Sequence, residues 1–378
     1  MVVAQKLRVG VLFGGRSGEH EVSLMSAASV LRALDPQKYA VTEIGITHAG
    51  TWLSGEHVHR AFVNADFSQL VPVALLPDPG RKALLALRTR QDGEFLSPYA
   101  EIDVMIPVLH GTFGEDGTLQ GLFEMAGCAY VGAGVLGSAV GMDKGVFKDV
   151  MPANDIPVLA GLILRRSELQ RDLQGALARA EALAEYPLFT KPANLGSSVG
   201  VTKCRSRADL LEGLLEAARY DRRVLVERGI QAREIEISVL GNDQPQASTP
   251  GEIRPAADFY SYEAKYHDDR SELLIPAPIP AELAEEMRAI AIKAYQAIDC
   301  AGMARVDFLL DQKSEAFYLN EVNTIPGFTQ ISMYPKLWEA SGLPYAQLLD
   351  RLIELALARR QEREQTEWRF ERQKNNGY

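Results

Sequence analysis

Cysteine and long hydrophobic runs are scarce in this sequence. The three cysteines among its 378 residues, Cys128, Cys204 and Cys300, are too far apart for a zinc-binding spacing and odd in number for a disulfide framework. The longest apolar runs, 9–13 and 104–109, fall well short of the roughly 20 residues that cross a bilayer. No signal-peptide pattern opens the chain, so we expect a cytoplasmic protein with no membrane partner.

Positively charged side chains are fewer than negatively charged ones in this sequence. Lys and Arg total 40 against 50 Asp and Glu, which gives a net charge of −10. A net acidic chain is a poor candidate for nucleic-acid binding, which needs a basic face, so we expect no nucleic-acid partner. Apolar residues at 47% and charged residues at 24% exclude a disordered or collagen-like chain. The length favours two to three domains of roughly 150 residues each.

The N-terminal part of the chain alternates strand and helix patterns. Residues 6–13 and 39–47 are apolar, strand-like runs, and residues 21–34 between them carry helical periodicity. This β-α-β opening predicts a doubly wound parallel sheet. Residues 49–100 are less regular and rich in polar and turn residues, whereas 258–274 has the character of a long functional loop.

Two boundaries divide the chain into three predicted units. We place them near residues 132 and 227, which gives an N-terminal unit over 1–132, a central unit over 133–227 and a C-terminal unit over 228–378. Within the central unit one short helix is expected from Met142 to Val150. The chain ends in a helix predicted from Tyr345 to about residue 372.

Two segments near the C-terminus carry the most informative chemical pattern. Because strand side chains alternate, Arg305 shares a face with Asp307, and Glu321 shares a face with Asn323. If the segments pair antiparallel with Arg305 opposite Asn323, then Asp307 lies opposite Glu321. Facing carboxylates repel unless a cation lies between them, and hard oxygen ligands suit magnesium. The alternative is a plain hairpin in which Arg305 forms a salt bridge with Asp307 or Glu321.

A second signal is a lysine that ends a strand-like run before a Gly/Ser loop. Lys191 precedes Gly196-Ser-Ser198, a loop whose backbone N–H groups and hydroxyls can hold phosphate oxygens. An ordinary surface turn is the alternative. Lys144 supplies another cation near the first boundary, and an exposed lysine by itself is most often only solvated.

Two other patterns point to sites that we do not expect. Gly132–Gly137 has the spacing of a dinucleotide-binding loop, but it follows a third predicted strand, at residues 103–109, and not the first. A nicotinamide cofactor is therefore not expected. His57 and His59 resemble half a metal site, yet no second Cys or His pair follows them.

Seven motifs occur in one order along the chain. They are GGRSGEHEVS at 14–23, LHG with EDGT at 109–118, MDK at 142–144, KP with GSS at 191–198, EAKY at 263–266, RVD at 305–307 and NEVNTIPG at 320–327. This array resembles the D-alanine–D-alanine ligases, an ATP-grasp family, over most of the chain. The resemblance implies an α/β fold of three domains. In it, an N-terminal Rossmann-like domain with a parallel sheet binds substrate, and two ATP-grasp subdomains enclose ATP.

The resemblance also implies a reaction and its cofactors. Two D-alanines and ATP would give D-alanyl-D-alanine, ADP and phosphate through an acyl phosphate, for peptidoglycan synthesis. Two magnesium ions, replaceable by manganese, and a monovalent cation would assist, and the protein would form a homodimer. The alternatives are a D-alanine–D-lactate or D-serine ligase of the same fold, or a non-catalytic ATP-binding regulator.

Site residues follow from the resemblance, motif by motif. The implied metal ligands are Asp307, Glu321 and Asn323. The implied nucleotide contacts are Lys144, Lys191, Ser198, Glu227, Glu234, Lys265 and Asn320. The implied catalytic residues are Glu19, Ser197, Tyr266, Arg305 and the backbone N–H of Gly327. Glu19 would also hold the first D-alanine in a pocket lined by His110, and Ser332 would hold the carboxylate of the second. Tyr266 favours an amine as the nucleophile.

Overall fold

The computed structural model describes residues 5–81, 83–254 and 272–368, which form three β-sheets with helices packed against them. This mixed architecture confirms the predicted α/β class. The predicted loop at 258–274 lies outside the described residues except at its end, and Lys265 and Tyr266 lie outside them too.

The first sheet contains eight strands. They are β1 Leu7–Gly14, β2 Tyr39–Ile46, β3 Trp52–Ser54, β4 Val71–Leu75, β5 Ala83–Arg90, β6 Gly93–Glu101, β7 Val104–Val108 and β8 Ala129–Tyr130. Its helices are α1 His20–Ala33, α2 Val58–Val63 and α3 Thr118–Met125. The strand order is β6-β5-β4-β3-β2-β1-β7-β8, with β1, β2, β7 and β8 parallel as the β-α-β pattern predicts. Parallel strands are covered on both faces, and accordingly Val9, Val11 and Phe13 are fully buried.

Residues 49–100 are more regular in the structure than their sequence pattern predicts. Strands β3 to β6 extend the sheet with antiparallel pairs, and α2 lies between β3 and β4. The alternation that would reveal the β5–β6 hairpin is broken by a register shift between Leu84 and Leu85. Strand β6 is also an edge strand whose residues are mostly exposed or half-buried, so it carries little hydrophobic pattern.

The second sheet is antiparallel and has four strands. They are β9 Gly161–Arg165, β10 Leu188–Pro192, β11 Thr202–Cys204 and β12 Arg223–Arg228, in the order β11-β10-β12-β9. The helices of this region are α4 Val135–Met142, α5 Lys144–Val150, α6 Arg166–Arg171, α7 Leu173–Glu181 and α8 Arg207–Tyr220. The helix predicted from Met142 to Val150 is α5, which begins at Lys144, because Asp143 takes an extended conformation and its carboxylate accepts from the N–H groups of Gly145 and Val146.

The third sheet carries the paired segments that the sequence singled out. Its strands are β13 Ala232–Gly241, β14 Gln246–Ala247, β15 Gly251–Arg254, β16 Glu272–Leu274, β17 Gly302–Asp311 and β18 Phe317–Asn323. The order is β16-β15-β13-β17-β18, and β14 pairs with β13. The described residues after this point also form the helices α9 Ala281–Ala297, α10 Met333–Ala340 and α11 Tyr345–Arg363. Helix α9 buries Met287, Ala291 and Tyr295 against this sheet.

The C-terminal helix returns to the first sheet. Leu348, Leu352 and Ala356 of α11 share one buried core with Val9 and Phe13 of β1. This helix ends earlier than its sequence pattern predicts, at residue 363, and residues 369–378 lie outside the described part of the chain. Across the described ranges, no helix is both long and apolar enough to cross a membrane.

Gly14 is a position where a glycine is required. Its φ is +88°, and a Cβ there would collide with the carbonyl oxygen of Ile46, which accepts the N–H of Gly15 at 2.8 Å. We expect Gly14→Ala to lower the free energy of unfolding by about 2 kcal/mol, because strain and the backbone clash add. Thermal unfolding followed by circular dichroism measures the change. Gly18→Ala is the control, since nothing lies within 4 Å of its Cβ position. Equal midpoints for the two variants would contradict the argument.

Candidate active site

Strands β17 and β18 pair in the register that the sequence predicts. Arg305 lies opposite Asn323, and Asp307 lies opposite Glu321. The ladder then shifts after Asp307, so that Phe308 lies opposite Leu319 and Asn320 is the extra residue of a bulge. Strict alternation would put Asn320 on the face opposite Glu321. The bulge leaves both half-buried, and both line the same cleft.

Arg305 lies between two carboxylates. Its guanidinium donates to Asp307 at 2.7 and 2.6 Å, and its Nε is 3.0 Å from Glu236. Burial by itself would lower the pKa of Arg305, but Asp307 and Glu236 outweigh it and hold that pKa well above its usual value. The salt bridge to Asp307 that the sequence allowed is therefore present. It coexists with carboxylates that open into a cleft.

Sequence reasoning missed Glu236. It lies on β13 directly opposite Asp307 and is buried. Glu234 and Glu236 alternate with isoleucines, which was a signal that two acids share one face of this strand. Assigning that face of β13 to the site requires knowing that β13 pairs with β17, and no local sequence pattern indicates this pairing.

The larger cleft lies between the second and third sheets and has a volume of about 1340 Å³. Several residues that the family resemblance assigned to nucleotide and metal binding line it, together with Ser197 of the catalytic set. They are Lys144, Lys191, Ser197, Ser198, Glu227, Glu234, Asp307, Asn320 and Glu321. Strands β10 and β12 supply Lys191 and Glu227 from one side, and β13, β17 and β18 supply the other acids. A cleft of this size accommodates a nucleotide.

A buried charge cluster forms one wall of the larger cleft. The ammonium of Lys191 donates to Glu227 at 2.6 Å, and Lys148 pairs with the other oxygen of this carboxylate. Burial alone would raise the pKa of Glu227, but the two lysines outweigh it and lower that pKa. Lys148 is a second site residue that sequence reasoning missed, because an isolated lysine on α5 carries no motif.

The smaller cavity has a volume of about 350 Å³ and adjoins the first sheet. Most of the residues that the family resemblance assigned to substrate and catalysis line it, together with the candidate metal ligand Asn323. They are Glu19, His110, Ser197, Arg305, Asn323, Gly327 and Ser332. Its walls come from all three sheets and from the segment between β18 and α10, so no single stretch of sequence encodes it.

Buried hydrogen bonds tie the first sheet to the segment after β18. His110 Nδ1 is 3.0 Å from the carbonyl oxygen of Ile325, and His110 Nε2 is 3.2 Å from the hydroxyl of Ser26. Burial lowers the pKa of His110, which favours the neutral ring in this network. Glu115 accepts the N–H of Gly111 at 2.5 Å, and burial raises the pKa of this carboxyl. His110 therefore positions the backbone next to Asn323 in addition to lining the cavity.

The Gly/Ser loop reaches from one cleft to the other. Ser197 and Ser198 have φ angles of 52° and 58°, which puts two non-glycine residues in the left-handed region. The hydroxyl of Ser197 donates to Glu19, so the loop is attached to the first sheet. Strain of this kind persists where the surrounding structure enforces it and is common at ligand sites.

The two cavities meet at a shared boundary. Lys144, Gly196, Ser197, Glu236, Ile253 and Glu321 line both. Lys144 Nζ is 3.7 Å from Glu321 and donates to the carbonyl of Leu195 at 2.8 Å. The positively charged ammonium of Lys144 therefore lies at this boundary. A group held in one cavity can therefore approach a group held in the other at this point.

The donors at the boundary fit a hard divalent cation. Asp307 and Glu321 are cross-strand partners, and Asn323 lies on the same face two residues beyond Glu321. Carboxylate and amide oxygens are the ligands that magnesium prefers. Among the residues described, no group of three His, Cys, Asp or Glu side chains could hold a metal. A metal site here would therefore combine the two carboxylates with the amide oxygen of Asn323.

Backbone from another part of the chain packs closely against the glycine-rich segment 132–137. A Cβ at Gly137 would approach the Asp299 carbonyl at 3.1 Å, and one at Gly302 would approach the Gly132 nitrogen at 3.0 Å. The segment serves close packing of α4 against the third sheet, in agreement with its rejection as a dinucleotide loop.

Comparison with known families covers nearly the whole chain. The family model described as D-ala D-ala ligase N-terminus matches residues 8–133, and the one described as D-ala D-ala ligase C-terminus matches residues 150–354. The solved D-alanine-D-alanine ligase from Coxiella burnetii is 36% identical, with a TM-score of 0.80 over 96% of this chain and 97% of that one. The VanG D-Ala:D-Ser ligase of Enterococcus faecalis is 35% identical, with a TM-score of 0.82 over 93% and 100%.

Curated relatives agree with these matches. A D-alanine–D-alanine ligase of Natranaerobius thermophilus is 47% identical over 97% of this chain and 99% of its own length. One of Thermoanaerobacter pseudethanolicus is 50% identical over 93% and 97%. The fold and the two adjoining cavities define an ATP-grasp ligase. Within that class, the chain belongs to the D-alanine–D-alanine ligase family.

The Glu227 cluster predicts a pH-dependent contribution to stability. Because the folded-state pKa of Glu227 lies below its usual 4.5, the contribution is complete above that pH and is lost as pH falls through the folded-state value. We expect Glu227→Gln to be less stable than the parent near neutrality and to lose less stability on acidification. Urea unfolding from about pH 6 to about pH 3 measures both effects.

The matched control is Glu286→Gln, which removes an exposed carboxyl on α9. This variant should follow the parent at every pH. If Glu227→Gln also follows the parent, the buried cluster contributes nothing to pH-dependent stability.

Proposed function

We propose that the two cavities serve one reaction, the ATP-dependent joining of two D-alanines for which the family is named. The observation that carries the proposal is the shared boundary, where Lys144, Ser197 and Glu321 line both the larger cleft and the smaller cavity. A phosphoryl group of ATP in the larger cleft could reach a carboxylate in the smaller cavity there. The product, D-alanyl-D-alanine, supplies peptidoglycan synthesis.

The chemistry explains why ATP is needed. A carboxylate is a poor electrophile, so an amine does not displace its oxygen in water. Transfer of the γ-phosphoryl group to the carboxylate of the first D-alanine gives an acyl phosphate and ADP. The amine of the second D-alanine then attacks the carbonyl carbon, loses a proton, and phosphate leaves with the C–O bonding pair.

We assign the nucleotide to the larger cleft. Lys144, Lys191 and Ser198 hold its phosphates, with Asn320 beside them, and Glu227 and Glu234 contact adenine and ribose. In support, Glu227 and Lys191 are ion-paired on the cleft wall, which fixes the lysine in place. Lys265, proposed as a further phosphate contact, lies outside the described residues.

Asp307, Glu321 and Asn323 would hold magnesium, which neutralises charge on the phosphates during phosphoryl transfer. Two ions, with manganese as a substitute, and a monovalent cation belong to the same proposal. The support is the oxygen-only donor set and its position at the edge of the larger cleft.

The smaller cavity takes the amino acids. Glu19 pairs with the ammonium of the first D-alanine beside His110, and Ser332 hydrogen-bonds the carboxylate of the second. Arg305 and the N–H of Gly327 stabilise the oxyanion of the tetrahedral intermediate. Ser197, attached to Glu19, completes this set with Tyr266, whose role rests on the family resemblance alone.

The remaining expectations are part of the same proposal. Units 1–132, 133–227 and 228–378 act as substrate-binding, central and C-terminal domains, with the nucleotide between the last two. A homodimer is in keeping with the exposed side chains of Met125 and Leu136 on α3 and α4, which are 62% and 56% accessible. The use of ATP accords with a cytoplasmic location.

Phosphate release tests the function directly. With magnesium and ATP, we expect release that depends on D-alanine and is absent with L-alanine. Glu321→Gln should lower kcat at least about 100-fold while leaving the fold intact, because even groups that only orient metal ligands contribute roughly 10- to 100-fold. Glu315→Gln, in the exposed turn between β17 and β18, is the control. Release that ignores the chirality of alanine, or full activity of Glu321→Gln, would refute these assignments.

A competition assay separates the alternative products. With D-alanine as the first substrate and equal D-alanine, D-serine and D-lactate as nucleophiles, we expect D-alanyl-D-alanine to dominate at neutral and higher pH. Mass spectrometry of the products measures the ratio. D-Alanyl-D-serine as the main product would favour the specificity for which the VanG ligase is named. Depsipeptide as the main product would favour a D-alanine–D-lactate ligase. Absence of ADP in every mixture would favour a non-catalytic ATP-binding regulator.

A further inference from the structure

We propose that Lys336 binds the carboxylate of the second D-alanine, next to Ser332, and thereby selects a nucleophile that carries a negative charge. This inference rests on the proposed function and adds a specificity-determining residue to it. Lys336 belongs to none of the seven motifs.

The position of Lys336 on α10 directs it toward Ser332. Ser332 caps the helix, and Lys336 follows four residues later, where side chains lie on the same helical face. Long side chains in helices lean toward the N-terminus, so this lysine extends over the first turn. Its backbone N–H donates to the Ser332 carbonyl at 3.3 Å, and both residues line the smaller cavity.

Among the described residues that line this cavity, Lys336 is the cation without a protein partner. The lysines and arginines of the described chain that line it are Lys144, Arg305 and Lys336. Arg305 is engaged by Asp307 and Glu236, and Lys144 by Glu321 and the Leu195 carbonyl. Across the described chain, the half-buried Lys336 ammonium forms neither a hydrogen bond nor an ion pair. Its charge is therefore available to a ligand.

The second substrate needs such a charge. To attack, its amine must be neutral, so D-alanine reacts as an anion whose carboxylate must be bound. The cavity is also lined by Glu19, Glu236 and Glu321, whose negative charges oppose a further carboxylate.

The Ser332 hydroxyl alone offsets little of this electrostatic repulsion. Its hydroxyl already accepts the Thr329 N–H at 3.1 Å and lies 2.7 Å from the Thr329 hydroxyl, and a hydroxyl has one proton to donate. A lysine ammonium adds a charge-assisted hydrogen bond, which is about twice as strong as a neutral one. Lys336 is the residue in position to provide it.

D-alaninamide is the discriminating probe. It has no carboxylate to phosphorylate, so it can act only as the nucleophile, and it lacks the group that Lys336 would bind. With magnesium, ATP and D-alanine, the full-length enzyme forms D-alanyl-D-alanine and D-alanyl-D-alaninamide in a measurable ratio. Comparing this ratio between variants cancels the different basicity of the two amines.

We expect Lys336→Met to raise the KM for the second D-alanine about tenfold with a much smaller change in kcat, because one charge-assisted contact is lost. The product ratio should shift about tenfold toward the amide, and Lys336→Arg should retain most of the parent preference. Lys293→Met removes an exposed lysine of α9 outside both cavities and serves as the control. If thermal unfolding shows that Lys336→Met does not fold, Lys336→Gln is used in its place.

The outcomes separate this inference from the function it rests on. If the folded Lys336 variant keeps the parent ratio and KM, Lys336 is only solvated and the inference fails while dipeptide synthesis stands. If the parent enzyme makes no dipeptide from D-alanine, the proposed function fails. A loss of activity with both nucleophiles equally would assign Lys336 a structural role and would also overturn the inference.

Discussion

The central physical constraint in this protein is the gathering of carboxylates on one face of the third sheet. Glu236, Asp307 and Glu321 come from three neighbouring strands, and their like charges would destabilise the sheet if unpaired. Arg305, on the same strand as Asp307, bonds two of them, and Lys144 approaches the third. The arrangement keeps oxygen ligands together in a cleft, which is the prerequisite for binding a cation with phosphates.

The smaller cavity depends on contact between parts of the chain that are far apart in sequence. His110, at the end of β7, reaches the backbone at Ile325, and Ser26 of α1 reaches both His110 and the N–H of Phe328. These bonds hold the segment after β18 against the first sheet. The proposed oxyanion donor Gly327 lies within that segment, so its placement relative to Glu19 follows from packing of the first sheet on the third. The geometry of the proposed catalytic residues therefore depends on how the first sheet packs against the third.

Local chemistry explains the features that the sequence predicted well. Alternation along strands predicted that Asp307 faces Glu321, because a hairpin with a short turn leaves few possible registers. The same alternation failed at Asn320, where a bulge reverses the side, and at Leu84, where a register shift hides the strand pattern. Bulges depend on the strain of the whole sheet, so a local pattern does not reveal them.

The sequence by itself determined the chemical components of this protein: the strand that carries Arg305 and Asp307, the Gly/Ser loop after Lys191 and the order of motifs that defines the family. Only the tertiary structure decided that Glu236 and Lys336 line the smaller cavity and that Lys148 pairs with Glu227. Each of these three residues lies outside any motif. Neighbouring strands and helices bring their charges close to groups that are distant in sequence, and for Glu236 and Lys148 burial makes the pairing energetically decisive.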